Sequence, residues 1–165
     1  SRGLGDVYKR QIQYIADIQL KNHWFMADSL RLNQVLVNLL GNALKYSRPD
    51  GHVWLTVRET EEEKGFSNLY FQIRDDGIGI SPENQQLIFR QFEQADNSDN
   101  ARKQGTGLGL AISRRIVRMM DSDIKLESEP GKGSTFSFNV KLQPVSCEKT
   151  TVTSQPEEIL SLIHI

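Results

Sequence analysis

Cysteine is nearly missing from this chain: Cys147 stands alone, in a polar stretch. One thiol excludes a disulfide framework or a cysteine-built zinc site within the chain and points to a reducing, cytoplasmic setting. No apolar run approaches the ~20 residues that cross a bilayer, and no signal-peptide pattern is visible. If the parent protein is anchored in a membrane, the anchor is therefore expected outside these residues, with no membrane contact by them. An excess of positive charge is also lacking. Lys and Arg number 20 against 21 Asp and Glu, and the pI is near 6.3, so the electrostatic footprint of a nucleic-acid binder is absent. Histidine is scarce, at His23, His52 and His164.

What remains is 165 residues, enough for one domain with its own core. Residues 1–11 (SRGLGDVYKRQ) show neither helical nor strand periodicity and read as a non-native extension. From 144 to 165 a Ser-, Thr- and Pro-rich linker leads into a similarly foreign SLIHI tail. The domain proper is expected over residues 12–143. Residues 12–20 suit a short strand. Asp28 or Ser29 is placed to cap a helix over 30–46, whose Leu32, Val35, Leu36, Leu39, Leu40, Ala43 and Leu44 repeat at the helical period. Strand-like runs follow at 53–57 and 69–73. Ser81-Pro82 opens a short helix reaching about Phe89, a second long helix ends near Met120, and strands at 124–127 and 135–142 flank the turn EPGKGS. Helices interleave with hairpins without strict βαβ alternation. The expected fold is a two-layer α/β sandwich, a mixed sheet with helices packed on one face.

Three segments carry unusual chemistry. On the first helix Asn38, Asn42 and Lys45 share one face at i, i+4 and i+7. Two Asn and Gly41 together sacrifice on the order of 2 kcal/mol of helix propensity relative to alanine. An Asn amide oxygen is a neutral hard ligand suited to Mg²⁺, and Lys45 one turn on is within reach of a phosphate. Hydrogen bonding of the two Asn to a neighbouring loop is the plainer alternative. Asp75-Asp76-Gly77-Ile78-Gly79-Ile80 follows directly on a strand. A carboxylate there accepts from the exocyclic amine of adenine and repels the carbonyl of guanine, while the glycines let a flat ligand approach; the alternative is a tight Asp-Gly turn. Gly105-Thr106-Gly107-Leu108-Gly109-Leu110 stands where a loop becomes a helix, a place for a phosphate cradle, with Arg102 and Lys103 adding positive charge; the alternative is a flexible loop. The P-loop spacing is absent, and Leu110 takes the third glycine position of a dinucleotide fingerprint.

In order, NLLGNALKY, DDGIGI and GTGLGL, with IFRQFEQAD between and SEPGKGSTFSF after them, resemble the signature boxes of histidine kinase ATP-binding domains. That family has the Bergerat fold, shared with type II topoisomerase, mismatch-repair and heat-shock chaperone ATPases. The resemblance runs from about Arg31 to Val140. It implies ATP and Mg²⁺ as cofactors, with Asn42 the metal ligand, Asn38 at the phosphate end, and Lys45 and Tyr46 contacting phosphate or nucleotide. Asp75 would accept the adenine amine, Gly77, Gly79 and Ile80 would shape that wall, and Thr135 would lie near the carboxylate. Lys103, Gly105, Thr106, Gly107, Leu108 and Gly109 would form the ATP lid, and Phe89 and Phe92 match the family's phenylalanine box or pack in the core.

The related ATPases carry a water-activating glutamate where this chain has Asn38, and an amide cannot take a proton from water; transfer is therefore expected over hydrolysis, with Asn38 and Lys45 at the reacting phosphate. None of the three histidines sits in the family's acceptor pattern, so the acceptor is expected on a separate dimerisation and phosphoacceptor domain of the same parent, with a response-regulator receiver domain as a further partner. Gln104 replaces a common lid glycine and Asp121-Ser122-Asp123 a glycine-rich turn. Two other functions stay open: a non-enzymatic ATP-sensing or docking module, and a serine kinase or ATPase of the same fold.

Overall fold

The computed structural model describes residues 11–61, 63–94, 108–146 and 161–164. The chain order is β1 (Gln13–Gln19), β2 (Trp24–Ala27), α1 (Ser29–Tyr46), β3 (His52–Glu61), β4 (Ser67–Asp75), α2 (Pro82–Gln94), α3 (Leu108–Met119), β5 (Lys125–Glu129), β6 (Gly133–Pro144) and β7 (Ser161–His164). The strands form one sheet in the order β1-β3-β4-β6-β2-β7, with β5 also on β6. Among the described strands only β1 and β3 run parallel, so the sheet is mixed as expected.

Period-2 patterning decides which face is covered. On β4 the odd positions Ser67, Leu69, Phe71, Ile73 and Asp75 are buried and the even ones are not. On β6 the buried set is Ser134, Phe136, Phe138, Val140 and Leu142. Phe71 and Phe138 are register partners and stack with centroids 5.1 Å apart, a cross-strand pair that pins the centre of the sheet. Leu32, Val35, Leu39 and Ala43 of α1, and Leu110, Ala111, Ile116 and Val117 of α3, complete this core from above. The helices thus lie on one face, and the other carries Trp54, Tyr70, Gln72 and Arg74, none of them buried.

The helix ends follow their sequence signals. Asp28 caps α1, its Oδ1 accepting the Arg31 N–H at 3.2 Å, and Ser81 Oγ accepts the Asn84 N–H at 3.3 Å ahead of Pro82. Helix α2 runs to Gln94, a turn beyond the expected stop. Two strands were not anticipated. β2 has only four residues, too few to display a period. β7 falls in the segment set aside as a tail, and its backbone pairs antiparallel with β2. Among the described residues no helix is long and apolar enough to cross a membrane.

Candidate functional site

The site grows from the end of β4. Alternation carries Asp75 onto the helix-covered face, where it is 3% exposed. Burial pushes its carboxyl pKa above the ordinary carboxylate range; N–H groups of Gly77 and Ser134 pull the other way, and the neighbouring Asp76 adds to the rise. The Gly77 N–H donates to Asp75 Oδ1 at 2.9 Å. Asp76 turns to the start of β3, where it accepts the His52 N–H at 2.8 Å and contacts His52 Nδ1 at 2.9 Å. Burial acts to raise its pKa as well, but these bonds outweigh it and hold the carboxyl below its usual range. Adjacent aspartates are thereby given opposite tendencies by their surroundings.

The glycines that follow admit the protein's own backbone. A Cβ at Gly77 would stand 2.1 Å from the Tyr46 carbonyl oxygen, the group that accepts the Ile78 N–H at 3.2 Å. Gly79 has φ +71°, and a Cβ there would stand 2.1 Å from the Glu129 carbonyl oxygen. The close approach expected of a ligand is thus made, within the described residues, by the end of α1 and by the β5–β6 hairpin. The Ile80 N–H donates to Ser128 Oγ at 2.8 Å. Gln85 Nε2 on α2 reaches the Ile80 and Ser128 carbonyls at 2.8 and 2.9 Å. Arg48 Nη2 donates to the Gly131 carbonyl at 2.8 Å. The DDGIGI loop is held on three sides.

Helix α1 joins this loop to the start of α3. Asn38 Nδ2 donates to the Gly109 carbonyl at 3.2 Å and to Ser113 Oγ at 3.1 Å, and Ser113 is fully buried. Asn38 therefore fastens two helices; its partners lie in α3 and not in a neighbouring loop. Asn42, one turn on, is half-buried, and its side chain makes no hydrogen bond among the described residues. Lys45 is exposed, its Nζ 5.4 Å from the Tyr46 ring centroid, and Tyr46 is 38% exposed. Along the axis, Asn38 and Tyr46 are about 12 Å apart at 1.5 Å per residue, with Asn42 midway.

Thr135 stands one residue along β6 from the partner of Asp75. It is the register partner of Arg74, whereas Asp75 is level with Ser134. Buried Ser134 and Phe136 flank Thr135, so alternation turns its side chain to the uncovered face of the sheet. Ser134, passed over in the sequence, holds the position on the Asp75 face. Counting back in twos from the core residues Phe138 and Phe136 was the signal that would have found it. Ser128, Ser113 and Gln85 were missed too, since hydroxyl and amide partners across elements leave no periodic trace. Leu108 opens α3, and Phe89 and Phe92 fall on α2. Lys103, Gly105, Thr106 and Gly107 lie outside the described residues. A depression of about 480 Å³ touches Arg74, Asp75, Ser128, Lys132, Ser134 and Thr135. A cavity of about 640 Å³ between the start of α1 and the end of α3, lined by Met26, Leu32, Phe66 and Met120 among others, contains none of the expected site residues.

Residues 27–144 match the family model described as histidine kinase-, DNA gyrase B-, and HSP90-like ATPase. The hybrid signal transduction histidine kinase B of Dictyostelium discoideum is 36% identical over 138 residues, which cover 84% of this chain and 7% of that protein. The circadian input-output histidine kinase CikA of Synechococcus elongatus is 42% identical over 130 residues, 77% of this chain and 16% of that protein. The crystal structure of full-length ShkA in complex with AMPPNP is similar with a TM-score of 0.65 and 29% identity, over 85% of this chain and 27% of that one. The chain thus spans a small part of the length of these two kinases.

Proposed function

The chain belongs to the histidine kinase-, DNA gyrase B- and HSP90-like ATPase family, and from that premise we propose that it holds Mg-ATP and delivers the γ-phosphate to an imidazole on a separate domain. The observation that carries the reading is the course of α1. One helix touches the Asp75–Gly77 loop at its end and the first turn of α3 at Asn38, with an unengaged amide, Asn42, between them. A purine at Asp75 and a triphosphate reaching toward α3 are bound along one rod.

In this reading the buried Asp75 carboxylate accepts the adenine amine and disfavours the guanine carbonyl, because two acceptors face to face leave both unpaired. The Asn42 amide oxygen is a fitting hard ligand for Mg²⁺, and the ion supplies charge neutralisation at the phosphates. Lys45 adds a mobile positive charge one turn from Asn42. The N-terminal end of α3, where Asn38 is anchored, contributes N–H groups and the positive end of a helix dipole. Phosphoryl transfer asks mainly for such positioning and charge. Asn38 is no base, and its amide nitrogen is committed to Gly109 and Ser113, so water activation has no agent there. His52 is engaged by Asp76 and stacks on Trp54 with centroids 5.4 Å apart, which suits a structural histidine. The acceptor then belongs to a phosphoacceptor domain of the parent protein, and a receiver domain is the onward partner. Mixing the chain with a separately made acceptor domain and γ-labelled ATP tests this. Acid-labile label on histidine is expected; no label with both proteins folded, or acid-stable phosphoserine instead, overturns it.

A further inference from the structure

The β5–β6 hairpin holds a hydrogen-bond node whose proton positions can be assigned by counting. Ser128 Oγ lies 2.8 Å from three groups: the Ile80 N–H, the Gly133 carbonyl oxygen and Ser134 Oγ. A hydroxyl has one proton and two acceptor sites. The carbonyl of Gly133 can only accept, so Ser128 donates its proton there. The Ile80 N–H can only donate, so it fills one acceptor site of Ser128. The remaining site must be filled by the Ser134 hydroxyl, because the reverse arrangement would set two acceptors 2.8 Å apart at Gly133. Ser134 has then spent its only proton and presents nothing but lone pairs. It is 6% exposed, and as the register partner of Asp75 it stands on the same face, within ordinary cross-strand reach.

We propose that Ser128 is a positioning residue for base recognition: by taking the proton of the Ser134 hydroxyl, it keeps Ser134 an acceptor and leaves the lone pairs of Asp75 for a purine edge that donates. Without Ser128, the freed Ser134 proton turns to its carboxylate neighbour and occupies a lone pair that the exocyclic amine of adenine needs. A hydroxyl donor in that wall also offers a partner to the guanine carbonyl, which the intact wall refuses. Ser128 touches no ligand in this scheme; it acts through Ser134, and through Ile80, whose N–H it anchors. The inference rests on the adenine reading of Asp75 and adds the residue that sets the polarity of the wall.

Calorimetric titration of the whole chain with Mg-ATP and Mg-GTP separates the outcomes. Ser128→Ala is expected to narrow the preference for ATP over GTP about tenfold, the effect of one hydrogen bond left unmade, and Ser128→Thr to restore it. If Ser128→Ala weakens both nucleotides alike, Ser128 is only a structural brace and the proposal falls. If that variant does not fold, Ser128→Cys decides: its thiol fills the same space but accepts a hydrogen bond only weakly, so the Ser134 proton is again released and the same narrowing is expected. An unchanged ATP-to-GTP ratio there overturns the proposal. Wild-type protein that fails to bind ATP, or binds it equally well as Asp75→Asn, overturns the adenine reading itself and this inference with it.

Discussion

Gly77 and Gly41 both sit in motif segments, yet the fold treats them in opposite ways. In Gly77→Ala the new methyl would start 2.1 Å from the Tyr46 carbonyl oxygen and 2.7 Å from Asp75 Oδ1, where real Cβ contacts are not found under 3.0 Å. Most of an ångström must be opened between backbone segments, and backbone gives way poorly in a packed interior. Overpacking of this kind costs about 1–3 kcal/mol, and loss of the Ile78–Tyr46 hydrogen bond adds about 1 kcal/mol. For a domain of this size each kcal/mol lowers Tm by roughly 2–4 °C, so a fall of about 5–15 °C is expected. In Gly41→Ala the methyl meets nothing within 4 Å, and a helix-interior glycine replaced by alanine gains about 0.5–1 kcal/mol. Thermal unfolding followed by circular dichroism compares the two. A Gly77→Ala protein as stable as wild type, or a Gly41→Ala protein less stable, would refute the reasoning that the first glycine is demanded by packing and the second is not.

Asn42→Ala should leave stability unchanged or slightly raised, because the Asn42 side chain has no hydrogen bond among the described residues, while Mg-dependent ATP binding is lost by titration; a clear drop in Tm would contradict the assignment. Asn38→Asp turns a donor into an acceptor facing the Gly109 carbonyl and is expected to cost about 1–3 kcal/mol in chemical unfolding. The paired aspartates should respond to pH with opposite sign. Asp75 has a raised folded pKa, so the native state binds more protons than the unfolded chain just above the ordinary carboxylate range. Its burden on stability therefore grows as pH rises through that window and is full above it; Asp75→Asn flattens this slope. Asp76 has a lowered folded pKa, so its contribution is present above the ordinary range and is lost as pH falls through the folded value; Asp76→Asn loses stability at neutral pH. Denaturation midpoints measured from about pH 3 to 7 give both signs.

Where a residue's role is written in its own chemistry and period, the sequence disclosed it. The 3.6-residue repeat of Leu32, Val35, Leu39 and Ala43 gave the covered face of α1, and Asp28 and Ser81 announced helix starts. The alternation of β4 carried Asp75 inward. What escaped was relational. β2 and β7 are strands because they complete each other and the edge of β6, and four residues hold no pattern to show it. Thr135 was singled out by likeness to a motif alone, and Ser134, a single step of strand parity away, holds the face of Asp75. The need for glycine at 77 was legible, but not its reason, since the crowding group is a carbonyl thirty-one positions away in sequence.

The fixed length of α1 turns the molecule into a gauge. A rigid rod is anchored at the Ile78 end and at the Gly109 end. Were base and terminal phosphate seated as proposed, it would set one span between them, and a nucleotide shortened by one phosphate would seat its base without reaching the far anchor. Spent product would then be held by one hand only.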